Sequence, residues 1–202
     1  MEGQGGGIYV TPNHTVNFKN MNFNNNYCYD STGGALFLYN TVTCIIDSCN
    51  FENNTVTREE DVAWANHKTG MASAIYCGYG SSLTLRNSNF RKNTSYNSTI
   101  LVVSYNDTLG KKQTPVYMEK CTFENNTSSK SGIIYLDELG YCDLVDCNFK
   151  DNTILMVSDN SGIADYGCIN ADTMEKLDIK NCYFSNNTGN WGACISLKKD
   201  VT

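Results

Sequence analysis

The sequence predicts an all-β fold, a right-handed parallel β-helix with three short strands per coil and about six to seven coils. Three observations carry the prediction. First, a phenylalanine is followed three residues later by asparagine six times, at Phe23–Asn26, Phe51–Asn54, Phe90–Asn93, Phe123–Asn126, Phe149–Asn152 and Phe184–Asn187. Second, three gapless columns precede each Phe. Seven residues before it stand Val16, Cys44, Leu83, Val116, Cys142 and Leu177, and five before it Phe18, Ile46, Leu85, Met118, Leu144 and Ile179. Two before it stand Met21, Cys49, Ser88, Cys121, Cys147 and Cys182. Third, a glycine- or small-residue strand opens each unit. The Phe residues lie 28, 39, 33, 26 and 35 residues apart, the period of a stacked, quasi-one-dimensional fold.

The opening strand is clearest in Gly33-Gly34-Ala35-Leu36-Phe37-Leu38 and Ser131-Gly132-Ile133-Ile134-Tyr135-Leu136. Looser copies are Gly5–Val10, Ser73–Cys77 and Trp191–Ser196, and weaker ones Thr99–Val103 and Gly167–Ile169. The next strand has apolar residues two apart, at minus seven and minus five, with mostly polar residues between them. That is period-two alternation, not a helical step of three or four. One outward column alternates in sign through Lys19, Asp47, Arg86 and Glu119, then runs Val145, Lys180. Stacked about 4.8 Å apart, opposite charges help hold the register. The Phe strand follows a turn. The asparagine that ends it is expected at a corner, in left-handed geometry, with its amide bonded to the next coil. Thr follows it in five units, at Thr55, Thr94, Thr127, Thr153 and Thr188. Parallel crossovers are right-handed, and six coils plus a seventh opening strand give a rod of about 30 Å.

The pairing of a Gly-Gly-Ala-Leu strand with Phe-x-x-Asn resembles the repeats of the chlamydial polymorphic outer-membrane proteins and similar adhesin-like proteins. The resemblance covers nearly the whole chain. It implies a right-handed β-helical passenger or stalk on a cell surface, used for adhesion.

Residues 1–202 are expected to form a single β-helix repeat domain. Neither end offers a polar cap, so the chain is expected to be a segment of a longer protein. The alternative is a complete chain that stacks end to end on partners. The net charge of −6 and the lack of a basic run disfavour a nucleic-acid partner, and no apolar stretch reaches membrane-spanning length. Ten cysteines sit mostly in columns filled elsewhere by apolar residues, so buried free thiols are expected, with Cys121–Cys147 or Cys147–Cys182 close enough to oxidise. No metal or other cofactor is expected, since there is no Cys-x-x-Cys and His14 and His67 are the only histidines.

Eight Asn-x-Ser/Thr sequons, at Asn13, Asn53, Asn93, Asn97, Asn106, Asn125, Asn126 and Asn186, point to an extracellular or cell-surface location. An intracellular location is the alternative if Met1 starts a complete protein. No catalytic residues are assigned. The best carboxylate pair for a polysaccharide lyase or hydrolase is Asp143 and Asp178, one outward column in adjacent coils, with no Arg or His in that column. Binding has better material. Alternation in the opening strand sends Tyr9, Phe37, Tyr76, Tyr135 and Ile195 outward in one column, suited to sugar rings or a protein surface. Insertions at Thr57–Thr69, carrying Trp64 and His67, and at Tyr105–Pro115 supply candidate loop contacts. The expected function is a non-enzymatic, adhesin-like structural segment for a protein or glycan ligand. An end-to-end interaction scaffold and a carbohydrate-active enzyme stand as alternatives.

Overall fold

The computed structural model describes residues 5–57, 70–103, 115–137, 139–155, 167–172, 174–189 and 193–197. It is a parallel β-helix. Every strand pairs in parallel with its equivalent in the coils before and after it, in unshifted register. The opening strands, from Ile8–Val10 to Ile195–Leu197, form a seven-stranded sheet I. The alternating strands, from Thr15–Lys19 to Lys176–Lys180, form sheet II with six, and the Phe strands, from Asn22–Asn24 to Tyr183–Ser185, form sheet III with six.

One expectation is corrected. The first five coils are each built on four strands, not three, and in the sixth the fourth position is a single bridge from Thr188 to Thr153. Beyond the corner asparagine, Tyr27–Tyr29, Thr55–Thr57, Thr94–Ser95, Thr127–Ser128 and Thr153–Ile154 stack as a fourth sheet, sheet IV. Its strands are two or three residues long, too short to show an apolar column, and their inward positions are as varied as Cys28, Val56, Ser95, Ser128 and Ile154.

The interior is a set of like-on-like stacks. The six Phe rings lie 4.5 to 4.9 Å apart centroid to centroid, within 9° of parallel. Leu36, Leu38, Ile75, Cys77, Ile134 and Leu136 are all fully buried, as alternation requires. Backbones meet closely where the opening strand turns in. A Cβ on Gly34 would stand 2.4 Å from the Ser73 carbonyl oxygen of the next coil, and Gly33 has φ +74°, so a side chain fits neither.

The corner asparagines divide their expected work between two residues. Asn54, Asn93, Asn126 and Asn152 point inward, fully buried, and form the ladder. Nδ2 of Asn26, Asn54, Asn93, Asn126 and Asn152 donates to Oδ1 of the next at 2.8 to 3.0 Å. The left-handed geometry belongs instead to the residue before each: Asn25, Asn53, Lys92, Asn125, Asp151 and Asn186, with φ from 52 to 57°. A second left-handed row, Asn20, Ser48, Asn87, Lys120, Asp146 and Asn181, bends the chain from sheet II into sheet III. These tight bends explain why short polar residues recur there.

The thiol column is polar as well as space-filling. Cys49, Cys121, Cys147 and Cys182 each donate to the carbonyl two residues back, at 3.3 to 3.5 Å. Ser88 does the same at 2.7 Å and accepts from the Cys49 N–H at 3.1 Å, so the hydroxyl makes the bonds that the Cys49 thiol makes with Asp47 and Met21. The neighbouring Cys147 thiol holds the Cys121 thiol below its ordinary range, and Cys121 in turn pushes Cys147 up to about 12.

Candidate functional site

Sheet I was the expected binding face, and its geometry turns most of that column into packing. Tyr9 stacks on Phe37 at 5.2 Å and Phe37 on Tyr76 at 4.7 Å, with Tyr39 tilted against the first two. Phe37 is left only 3% exposed, so it offers no face to a ligand. Burial pushes the Tyr76 phenol above its usual range. Tyr76 and Tyr135 are half-buried against Ala72, and Tyr9 is the open ring of the set at 42%.

Ile195 does not belong to the column. It pairs with Ile169, placing it in the inward row with Leu36, Ile75 and Ile134, while Ser196 occupies the outward row beyond Tyr135 and Asn170. Aligning Trp191–Ser196 on its glycine shifts the strand by one residue, and such a shift exchanges the two faces. Leu101 stands in register between Tyr76 and Tyr135.

Trp64, His67 and Asn106 lie outside the described residues. Of the other sequons, Asn13, Asn53, Asn125 and Asn186 are exposed. Asn93 and Asn126 are fully buried with both amide hydrogens donated, and Asn97 is buried, so these three are not acceptor sites on the folded chain.

Sheet II is the better face. Its strands are five residues long, the longest among the described residues. Across adjacent coils Tyr117, Asp143 and Asp178 stand in register in one outward row. In the neighbouring row Pro115, Tyr141 and Lys176 align, with Tyr141 41% exposed. The Arg86 guanidinium sits 5.6 Å over the Tyr117 ring and 3.9 Å from Glu119. Partial desolvation and the Glu119 carboxylate beside it hold the Tyr117 phenol above its usual range. The result is a pair of tyrosine rings framed by carboxylates and cations. Tyr117 shares the carboxylates' column in the sequence, whereas Tyr141 comes from the neighbouring one, so the sequence did not bring the two rings together.

The Asp143/Asp178 pair is in register, but its two members differ. Lys176 Nζ lies 2.5 Å from Asp178 and Lys180 Nζ 3.6 Å away, so the Asp178 carboxyl sits below the usual range and stays an anion. A clamped anion suits charge pairing and disfavours proton donation, which asks for a raised pKa.

The expected sign-alternating column forms as Lys19–Asp47 at 3.8 Å and Arg86–Glu119 at 3.9 Å. A second column not anticipated from sequence joins Arg91 to Glu124 at 3.1 Å and Lys150 to Glu124 at 3.6 Å. Asp47 is also held below its ordinary range, chiefly by hydrogen bonds from Asn87 and Ser48. A carboxyl depressed on folding adds stability above its unfolded pKa, near 3.8, and loses it as pH falls through the lower folded value. The chain should therefore weaken progressively below about pH 5. Asp47→Asn and Asp178→Asn should each flatten that acid limb in urea midpoints measured against pH, and an unchanged slope in both would refute the assignment.

Among the described residues no cluster of three or more His, Cys, Asp or Glu could hold a metal ion, and no helix is long and apolar enough to cross a membrane. The family model described as right handed beta helix region matches residues 1–201. A stretch of 82 residues, 39% of this chain, is 34% identical to the probable outer membrane protein pmp18 of Chlamydia pneumoniae. The matched stretch is 8% of that protein's length. No solved structure gives a significant match.

Proposed function

Because the chain belongs to the right-handed β-helix family, we propose that it is a rigid, surface-exposed, adhesin-like segment whose sheet II face binds a glycan. The outer-membrane name of the matched Chlamydia protein supports the surface placement. One observation carries the binding reading: on sheet II, Tyr117 stands in register with Asp143 and Asp178 and under Arg86, and Tyr141 in register with Lys176 in the neighbouring row. Tyrosine rings stack on the apolar faces of sugars, and carboxylates accept hydrogen bonds from vicinal hydroxyls. The stacked core beneath keeps these groups at fixed spacing, so little ordering is needed on binding.

Labelled full-length chain on a glycan array tests the proposal. Tyr141→Ala combined with Asp143→Asn should weaken binding about tenfold, or 1.4 kcal/mol, while Tyr9→Ala on sheet I leaves it unchanged. Absence of any bound glycan, or equal loss from Tyr9→Ala, would overturn it. Release of free sugar that Asp178→Asn abolishes would make the face a hydrolytic or lyase site instead.

A further inference from the structure

The corner between sheets III and IV presents a row of left-handed residues that are exposed, except for the half-exposed Asp151. In the second, fourth and sixth coils the row holds Asn53, Asn125 and Asn186, each with threonine two residues on: Thr55, Thr127 and Thr188. In the first, third and fifth coils it holds Asn25, followed by Tyr27, then Lys92 and Asp151, none of which is a sequon. We propose that this edge is a glycosylation edge. Asn53, Asn125 and Asn186 are the acceptors for an oligosaccharide delivered on a lipid pyrophosphate, spaced at every second coil, about 9–10 Å apart.

The chemistry separates these asparagines from their neighbours. In the transfer the amide Nδ2 forms a bond to the anomeric carbon of the donor sugar. The bond from that carbon to the phosphate oxygen breaks, the lipid pyrophosphate leaves with its electron pair, and one amide proton is lost to solvent. The acceptor must therefore give up one N–H and reach a bulky donor. Asn93 and Asn126 can do neither. Asn93 Nδ2 donates to Phe51 O at 2.9 Å and to Asn126 Oδ1 at 3.0 Å, and Asn126 Nδ2 to Phe90 O at 2.8 Å and to Asn152 Oδ1 at 3.0 Å. Asn53 has an amide hydrogen to spare. Its Nδ2 donates to Asn25 Oδ1 at 2.7 Å, and a glycosylated amide keeps one hydrogen for that bond. Asn13, exposed at φ 64° with Oδ1 accepting from the Thr41 hydroxyl at 2.8 Å, is a separate acceptor between sheets I and II. Sheet II does not adjoin the corner of sheets III and IV, so glycans there leave the Tyr117 and Tyr141 face open.

The inference rests on the surface placement proposed above, but it is read independently of ligand binding. Folded full-length chain is incubated with an oligosaccharyltransferase and a lipid-pyrophosphate oligosaccharide. Acceptors are then mapped by peptide N-glycosidase release in oxygen-18 water and mass spectrometry. Label is expected at Asn53, Asn125, Asn186 and Asn13, and none at Asn93 or Asn126. Thr127→Ala destroys the Asn125 sequon but leaves the one formed by Asn126 and Ser128 intact, so label at Asn125 should vanish and none should appear at Asn126. Asn186→Gln, at an exposed corner, removes one label without touching the buried ladder. Label at Asn93 or Asn126 in the folded chain, or no label on the row, overturns the proposal. A failed glycan array with this map intact sinks only the binding face, and the reverse result sinks only the glycan edge.

Discussion

Asn126→Ala should destabilise the rod by about 3–6 kcal/mol, seen as a large drop in the urea midpoint of the full chain. The Asn126 amide uses all four of its hydrogen-bonding valences. Oδ1 accepts from the backbone N–H and the Nδ2 of Asn93, both at 3.0 Å, and Nδ2 donates to Phe90 O and Asn152 Oδ1. Truncation leaves two buried donors on Asn93 and the Phe90 carbonyl without this partner. Each buried polar group left unpaired costs about 1–3 kcal/mol. Asn26→Ala is the matched control. That side chain is half-buried and gives one bond to Asn54 Oδ1, so its loss should cost about 1 kcal/mol. Equal effects at the two positions would show that the ladder does not act as a buried network.

Phe123→Ala should cost about 3–5 kcal/mol, the range for deleting a buried aromatic ring. The ring is fully buried between Phe90 at 4.9 Å and Phe149 at 4.7 Å, both near-parallel to it. Neighbouring coils are tied by sheet hydrogen bonds on four sides, so they cannot collapse into the space, and the cavity term stays nearly whole. Phe184→Ala, where the ring is only half-buried, should cost clearly less. Calorimetric or urea unfolding of the two variants reads the difference. A Phe123→Ala loss under about 1 kcal/mol would mean that the stack contributes little beyond filling volume.

Much of this architecture was legible in advance because a coil repeats one chemical problem six times. Phe, the minus-seven and minus-five apolar columns and the Asn ladder recur at fixed offsets, so chance matches cancel and the inward positions stand out. Sheet IV was not legible. Its inward residues, Cys28, Val56, Ser95, Ser128 and Ile154, share small or moderate size but no polarity, and strands of two or three residues are too short for a period. The corner was legible in part. The ladder fell to the asparagine the sequence named, but the left-handed turn fell to the residue before it, which depended on the bend itself.

The candidate face shows the same division. Asp143 and Asp178 were readable as one row because they share an offset from Phe, and the structure keeps them in register. Tyr117 shares that offset, but Tyr141 lies in the neighbouring row, and its place on the strand next to Tyr117 became visible only once the sheet was assembled. Ile195 was misplaced because the glycine before it does not align with the pairing that hydrogen bonds impose.

The repeat thus determined by itself the parallel β-helical stack, its dry core and its row-by-row register, because each inward column must bury the same surface at the same spacing. Tertiary structure alone decided which exposed groups meet. Phe37 vanished beneath Tyr9, Tyr39 and Tyr76, and Asp178 was closed in by two lysines. Asn93 and Asn126 were withdrawn while Asn53, Asn125 and Asn186 were left in solvent. The reason is physical: burial is dictated by the alternation of one strand, whereas exposure and partnership depend on the side chains of neighbouring coils, which local sequence does not specify.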